Sequence, residues 1–181
     1  MDDHTTAPDD LPEDVPLEGP HLVIRRATLD DYSTIRHVQS SAVRALSEKL
    51  LDAAEVTRAI QAIYSPAYIA ELFVKTVSVA VLNGDIVGTC AWGASDDRGT
   101  AARIGALFVG PLSQRIGIGR RLVAGAERDA ASNGFTRYAA TAPVAVAPLF
   151  SKLGYVTASY GLSRDVIPEA AIQVAFLRKP S

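Results

Sequence analysis

The chain has 181 residues, 48% of them hydrophobic, enough to bury one respectable core, so a single domain is expected. No apolar run approaches the roughly 18 residues of a membrane span, and a lone cysteine, Cys90, excludes an internal disulfide framework or a C-x-x-C metal or redox pair. The formal charge of −2 hides a division, because the first 20 residues carry seven acids and no Lys or Arg, which leaves 18 basic against 13 acidic residues in the rest.

Residues 1–20, with Pro8, Pro12, Pro16 and Pro20 among those acids, are expected to form a flexible tail ahead of one folded unit over 21–181. His21 to Ala27 alternates Leu22 and Ile24 against Val23 and Arg25, the period of a strand. Thr28 with Asp31 reads as a capping box, after which Ile35, Val38, Ala42 and Leu46 fall on one helical face. Asp52 with Glu55 repeats the signal for a second helix, with Val56, Ala59, Ile60 and Ile63 on its buried side and a stop at Ser65-Pro66. Val77 to Leu82 and Ile86 to Trp92 flank Asn83-Gly84, which takes the positive φ angles of a two-residue hairpin turn.

Ala94 to Gly99 reads as a polar loop, and Ala101 to Val109 as the next strand. The helix from Gly117 packs Ile118, Leu122, Ala126 and Ala130 inward and ends at Asn133-Gly134. Arg137 to Thr141 is expected as a strand, Val144 to Leu153 as a short helix closed by Gly154, and Tyr155 to Ser163 and Ile172 to Leu177 as the last strands. This order argues a mixed α/β sheet with helices on both faces. Cys90, inside a strand, is expected to be packing rather than chemistry.

The segment from Thr100 to Asn133 carries the chemical signal. An apolar strand ends at Val109-Gly110-Pro111, the turn reads Gln114-Arg115-Ile116-Gly117-Ile118-Gly119, and a long helix follows. Arg98, Arg103, Arg115, Arg120 and Arg121 lie between Arg98 and Ala126 with no acid among them, and two of them fall in the helix's first turn. Cations are misplaced against the positive end of a helix dipole unless an anion also sits there. Glycines at Gly117 and Gly119 would let phosphate oxygens approach the amides closely. A plain strand-turn-helix with solvated arginines remains the alternative. Two other phosphate motifs fit worse. The dinucleotide fingerprint needs a small residue at Leu122 and an acid near Tyr138-Ala139-Ala140, and a Walker loop needs Gly-Lys-Ser/Thr where Gly119-Arg120-Arg121 stands.

A body charge of about +5 suits an anionic cofactor, but the basic residues form no dense run with interleaved aromatics, so nucleic acid is a poor partner. His4, His21 and His37 lack ligand spacing, so no metal is expected. Acidic first residues do not read as a signal peptide, no membrane partner is expected, and a cytoplasmic location follows as the expectation.

Taken with its flanks Leu107-Phe108-Val109-Gly110-Pro111 and Ala147-Pro148-Leu149-Phe150-Ser151-Lys152-Leu153-Gly154-Tyr155, the turn resembles the acetyl-CoA signature of the GNAT superfamily of N-acetyltransferases, over roughly residues 21 to 180. The resemblance implies a mixed, mostly antiparallel sheet of about seven strands whose fourth and fifth strands splay apart. It implies acetyl-CoA as acyl donor, with main-chain groups of Leu107, Phe108 and Val109 on the pantetheine and the turn of Gln114, Arg115, Ile116, Gly117, Ile118, Gly119 and Arg120 on the pyrophosphate. Acetyl would pass by direct attack to a primary amine of a small molecule or peptide. Many members dimerise, which admits a homodimer here.

A main-chain N–H near Phe108 or Val109 can polarise a thioester carbonyl without help from any side chain. Three positions depart from the family pattern: Arg115 replaces its first glycine, Val144 a frequent Asn, and Phe150 a frequent Tyr acid. Ser151, Tyr155 and Tyr160 are the substitutes at hand, Tyr155 foremost. Tyr64 and Tyr68, with Glu71, are candidate acceptor contacts, and Asp96 or Asp97 as base would be a guess. Because Phe150 and Val144 both depart, a regulatory module that binds CoA and transfers nothing stands as the alternative, and transfer of a longer acyl chain as a third.

Overall fold

The structure is a computed structural model that describes residues 21–95 and 99–180, with the backbone alone for 47–50. The expected tail, Arg98 and the acids Asp96 and Asp97 lie outside the described residues. Seven strands form one sheet in the order β1-β2-β3-β4-β5-β7-β6, antiparallel at every seam except β4 against β5, which is parallel. The mixed sheet expected from sequence is the fold observed.

β1 (Leu22–Arg26) turns into a 3-10 turn at Leu29–Asp31 and then α1 (Tyr32–Leu50). Thr28 forms the expected capping box, its N–H and hydroxyl donating to Asp31 Oδ2 at 2.7 and 3.0 Å. α2 (Ala53–Ile63) follows from Asp52, which accepts from the Glu55 N–H. Ser65-Pro66 ends α2 as expected, yet it also starts a helix that the sequence did not lead us to expect, α3 (Pro66–Phe73). Ser65 accepts from the Tyr68 N–H at 3.2 Å and Pro66 occupies the first helical position, so one dipeptide is both stop and start.

β2 (Thr76–Leu82) and β3 (Asp85–Ala94) form the hairpin, with Asn83 and Gly84 at φ 52° and 95°. β4 (Ala101–Val109) leads through the turn to α4 (Ile118–Ser132), β5 (Arg137–Pro143), α5 (Ala147–Ser151), β6 (Val156–Ser163) and β7 (Ile172–Lys179). α5 is shorter than expected, because Val144–Val146 form a separate 3-10 turn and Pro148 favours the start of a new helix over the middle of a longer one.

α4 and α5 cover one face. Ile118, Leu122, Ala126 and Ala130 are buried against Cys90, Trp92, Ala102 and Ile104, each large side chain there stabilising the fold by about 1.5–3 kcal/mol. Polar ties fix the helix: Trp92 Nε1 donates to Asp129 at 2.8 Å and Lys179 pairs with Glu127 at 2.7 Å. α1, α2 and α3 cover the other face, burying Ile35, Ile63 and Leu72 in clusters with Val79, Ala91, Phe108 and Val174.

Two irregularities interrupt the sheet along β4. β4 and β5 pair only from Ala101 and Arg137 to Ile104 and Ala140, and beyond those residues the strands part. β4 is also bulged against β3, since Thr89 opposes Phe108 while Ala91 opposes Gly105. Cys90 therefore faces two residues, one of which, Ala106, is left-handed at φ 47°.

Candidate functional site

The parting of β4 and β5 opens two cavities that share Leu107, Phe108, Pro143, Val146 and Val166, one of about 670 Å³ and one of about 340 Å³. The larger runs from the gap to the N-terminus of α4 and the flank of α5. Arg115, Arg120 and Lys152 line it, and no acid among the described residues does.

Its floor is the expected turn. Arg115 and Gly117 take left-handed φ of 65° and 86° on either side of Ile116. The first bond of α4 is donated by the Arg121 N–H to the Gly117 carbonyl at 3.1 Å, so the amides of Ile118, Gly119 and Arg120 lack a helical acceptor. Gly117 caps α4 without a side-chain bond, and no acid stands in the first turn. A Cβ on Gly117 would meet nothing within 4 Å, so that glycine is required by its φ and leaves the space before the amides clear. A Cβ on Gly119 would stand 3.0 Å from Leu149 Cδ1, so that glycine lets the first turn of α4 close on α5. Free amides, a positive dipole end and nearby cations fit a diphosphate.

The expected cofactor residues separate here. Leu107, Phe108, Val109, Gln114, Arg115, Gly117, Ile118, Gly119 and Arg120 all line the larger cavity, whereas Ile116 is 59% exposed and lines neither. Of the described arginines in the acid-free run, Arg115 and Arg120 line it and Arg103 and Arg121 do not. Arg121 donates to the Leu22 carbonyl at 3.0 Å, and Arg103 lines the smaller cavity. Lys152 is a cation that sequence reasoning missed, although it stands one turn beyond Pro148 in α5 and its flank.

Val109 stands at the gap. The Gly110 N–H donates to the Val87 carbonyl at 2.8 Å, and Phe108 opposes Thr89, so alternation along β4 turns the Val109 N–H away from β3 toward the side that β5 has left. The Val109 carbonyl accepts from Gln114 Nε2 at 3.3 Å. What remains open is one main-chain donor directed into the gap.

The bulge behind that donor is held by a relay that sequence reasoning missed. The Tyr68 hydroxyl donates to Gln39 Oε1 at 2.9 Å, Gln39 Nε2 donates to Thr89 Oγ1 at 3.3 Å, and Thr89 Oγ1 donates to the Ala106 carbonyl at 3.1 Å. Gln39 and Thr89 are fully buried. A polar residue on the buried stripe of a predicted helix was the available signal for Gln39.

Several expected side chains lie elsewhere. Tyr68 lines neither cavity, and its hydroxyl, raised well above the ordinary tyrosine range by burial, serves the relay. Tyr64 lines neither; its ring lies under Arg36, 5.4 Å from the guanidinium carbon, and its hydroxyl lies 3.4 Å from Ser40 Oγ. Tyr155 is 3% exposed beneath the sheet, edge-on to Phe150 at 5.3 Å, and lines neither cavity. Burial and the nearby Glu127 carboxylate push its hydroxyl far above the tyrosine range. Phe150 itself lines the smaller cavity, and Val144 lines neither. Cys90 is buried, as expected, with its thiol pushed up to about 12 by burial. Among the described residues no cluster of His, Cys, Asp or Glu could hold a metal, and no helix is long and apolar enough to cross a membrane.

The fold has many counterparts among solved structures. A GCN5-related N-acetyltransferase from Rhodopseudomonas palustris superposes with a TM-score of 0.73 at 20% identity, over 88% of this chain and 95% of that one. The PaiA N-acetyltransferase of Thermoplasma acidophilum, solved with coenzyme A, gives 0.72 at 13% identity, over 89% and 99%. The ribosomal-protein-alanine N-acetyltransferase of Brucella melitensis gives 0.63 at 19%, over 88% and 99%. No curated protein sequence matches the chain. The sequence model of the Acetyltransferase (GNAT) family matches residues 44–155, a stretch that includes the bulge, the turn and α5, and the chain belongs to that family.

Proposed function

We propose that the protein transfers an acetyl group from acetyl-CoA to a primary amine by direct attack. The observation that carries this reading is the gap between β4 and β5, where a cavity lined by cations and free amides meets a second cavity beside one unused main-chain donor. Membership in the family and the coenzyme A bound to the Thermoplasma counterpart support the choice of cofactor. Acetyl-CoA supplies an acetyl group on a sulfur that leaves readily.

Arg115, Arg120 and the amides of Ile118 to Arg120 hold the diphosphate, while main-chain groups of Leu107 to Val109 guide the pantetheine arm. The Val109 N–H donates to the thioester carbonyl and stabilises the negative charge that grows on its oxygen. The acceptor arrives as an ammonium of pKa about 10.4 and must lose a proton before its nitrogen pair attacks the carbonyl carbon. A C–N bond forms, the C–S bond breaks with its pair going to sulfur, and the nitrogen gives up a second proton. The thiolate then takes up one proton, so the products are amide, free thiol and one proton released.

Neither Phe150 nor the buried Tyr155 offers a proton to the sulfur. A thiol of pKa about 8.5 can depart as thiolate and be protonated from water, so the missing acid slows the step without forbidding it. The test is calorimetric titration with acetyl-CoA together with a thiol-release assay over polyamines, amino acids, aminoglycosides and peptides. Wild type should bind, Arg115→Ala with Arg120→Ala should bind at least tenfold more weakly, and at least one amine should be acetylated. Tight binding without turnover on any amine would instead identify a CoA-binding module.

A further inference from the structure

The smaller cavity lies on the face covered by α1, α2 and α3, with Ala91, Gly93 and Gly105 along its floor. Ala102 and Ile104 point into the core under α4, so alternation turns Arg103 to this side, one residue before β4 and β5 part. Four charged side chains among the described residues line the cavity. Glu71 and Lys75 satisfy each other at 2.7 Å. Arg103 and Asp165 have no charged partner among the described residues. Arg103 donates one N–H to Thr141 Oγ1 at 3.3 Å across the parting strands, which leaves its other donors for a ligand. Asp165 follows β6, its backbone N–H donating to Ser163 Oγ at 3.1 Å, and its neighbour Val166 lines both cavities.

We propose that the acceptor is a small zwitterion, a primary amine carrying a carboxylate on the same molecule, with the carboxylate on Arg103 and the ammonium facing Asp165 at the gap. The inference rests on the acetyl-transfer reading of the site. A planar guanidinium recognises a carboxylate through paired hydrogen bonds, and two unpaired charges of opposite sign in one cavity match a ligand with two charges of its own. A cavity of about 340 Å³ is at the small end for ligand sites and suits a molecule of amino-acid size. The unpaired guanidinium also disfavours polyamines, whose further cations would approach Arg103.

The experiment is steady-state kinetics by thiol release, with saturating acetyl-CoA, on the L-amino acids and on the carboxamide of each, beside polyamines and aminoglycosides. At least one amino acid should exceed its carboxamide by roughly tenfold or more in kcat/KM, the worth of one charge-assisted contact. Arg103→Met should bring that ratio close to one, mainly through KM for the acid, with KM for acetyl-CoA unmoved. Asp165→Asn should raise KM for acids and carboxamides together. Equal rates for acids and carboxamides, a ratio untouched by Arg103→Met, or turnover confined to polyamines or aminoglycosides would overturn the zwitterion while leaving acetyl transfer standing. No turnover on any amine, beside intact acetyl-CoA binding, would overturn the acetyl-transfer reading and this inference with it.

Discussion

The hydroxyl of Thr89 reaches the Ala106 carbonyl from a fully buried position and holds a non-glycine residue at φ 47°, a conformation that costs about 1–2 kcal/mol. Thr89→Val keeps the shape, removes the donor and strands Gln39 Nε2. It should lower stability by about 1–3 kcal/mol and kcat by roughly tenfold, with KM for acetyl-CoA little changed, and Thr89→Ser should restore the rate. An unaltered kcat in a folded Val variant would confine the relay to stability. Phe150 is buried but lines the smaller cavity, at the position where the family pattern often has a Tyr acid. Phe150→Tyr should raise kcat several-fold if thiolate departure limits the rate. No change, or a fall, would mean that the proton comes from water or that chemistry is not limiting.

At the scale of elements, β1 and α1 are joined by Asp31, which accepts from Arg25 at 2.6 and 2.9 Å and from Thr28. The Arg25 guanidinium holds this carboxyl well below its ordinary value of 3.8, with Thr28 helping and burial opposing. A depressed carboxylate contributes stability that is present above the unfolded value and fades as pH falls through the folded one. Asp31→Asn should therefore cost on the order of 1 kcal/mol at pH 7, and the difference from wild type should shrink below about pH 4, as read by urea unfolding across pH. A difference constant with pH would assign the loss to packing. Elements whose caps and periods agree were legible in the sequence: Asp52-Glu55, Asn83-Gly84 and Asn133-Gly134 all stand where read. α3 was not, because Ser65-Pro66 gives the same signal for an end and for a start, and eight residues offer too little periodicity to decide.

For the whole molecule, most of the lining that the larger cavity draws from β4 and the following turn was legible in the sequence. Glycines, cations and the absence of acids around Gln114 to Arg120 report a local geometry, and local geometry is what short motifs encode. The smaller cavity, proposed above for the acceptor, was illegible because it is assembled from α3, β4, β5 and the segment after β6, brought together only by the sheet order. Tyr64 and Tyr68, adjacent to a predicted break, line neither cavity, Tyr64 lying half exposed under Arg36 and Tyr68 bound into the relay, and nothing near them in sequence announces Arg103 or Asp165 as neighbours. The sheet itself is two leaves, β1 to β4 and β5 to β7, stitched by parallel pairing only between Ala101–Ile104 and Arg137–Ala140. Along the rest of that join the peptide groups on the β4 side have no rung from β5. Hydrogen exchange should find the Val109 amide less protected than that of Ala102 in free protein, and acetyl-CoA should slow it; equal protection with and without ligand would remove Val109 from the pantetheine path. A cofactor lying in this join acts as mortar between the leaves, so its concentration sets their cohesion, adding about 2.7 kcal/mol at a hundred times Kd. Turnover would then loosen the framework each time spent coenzyme departs.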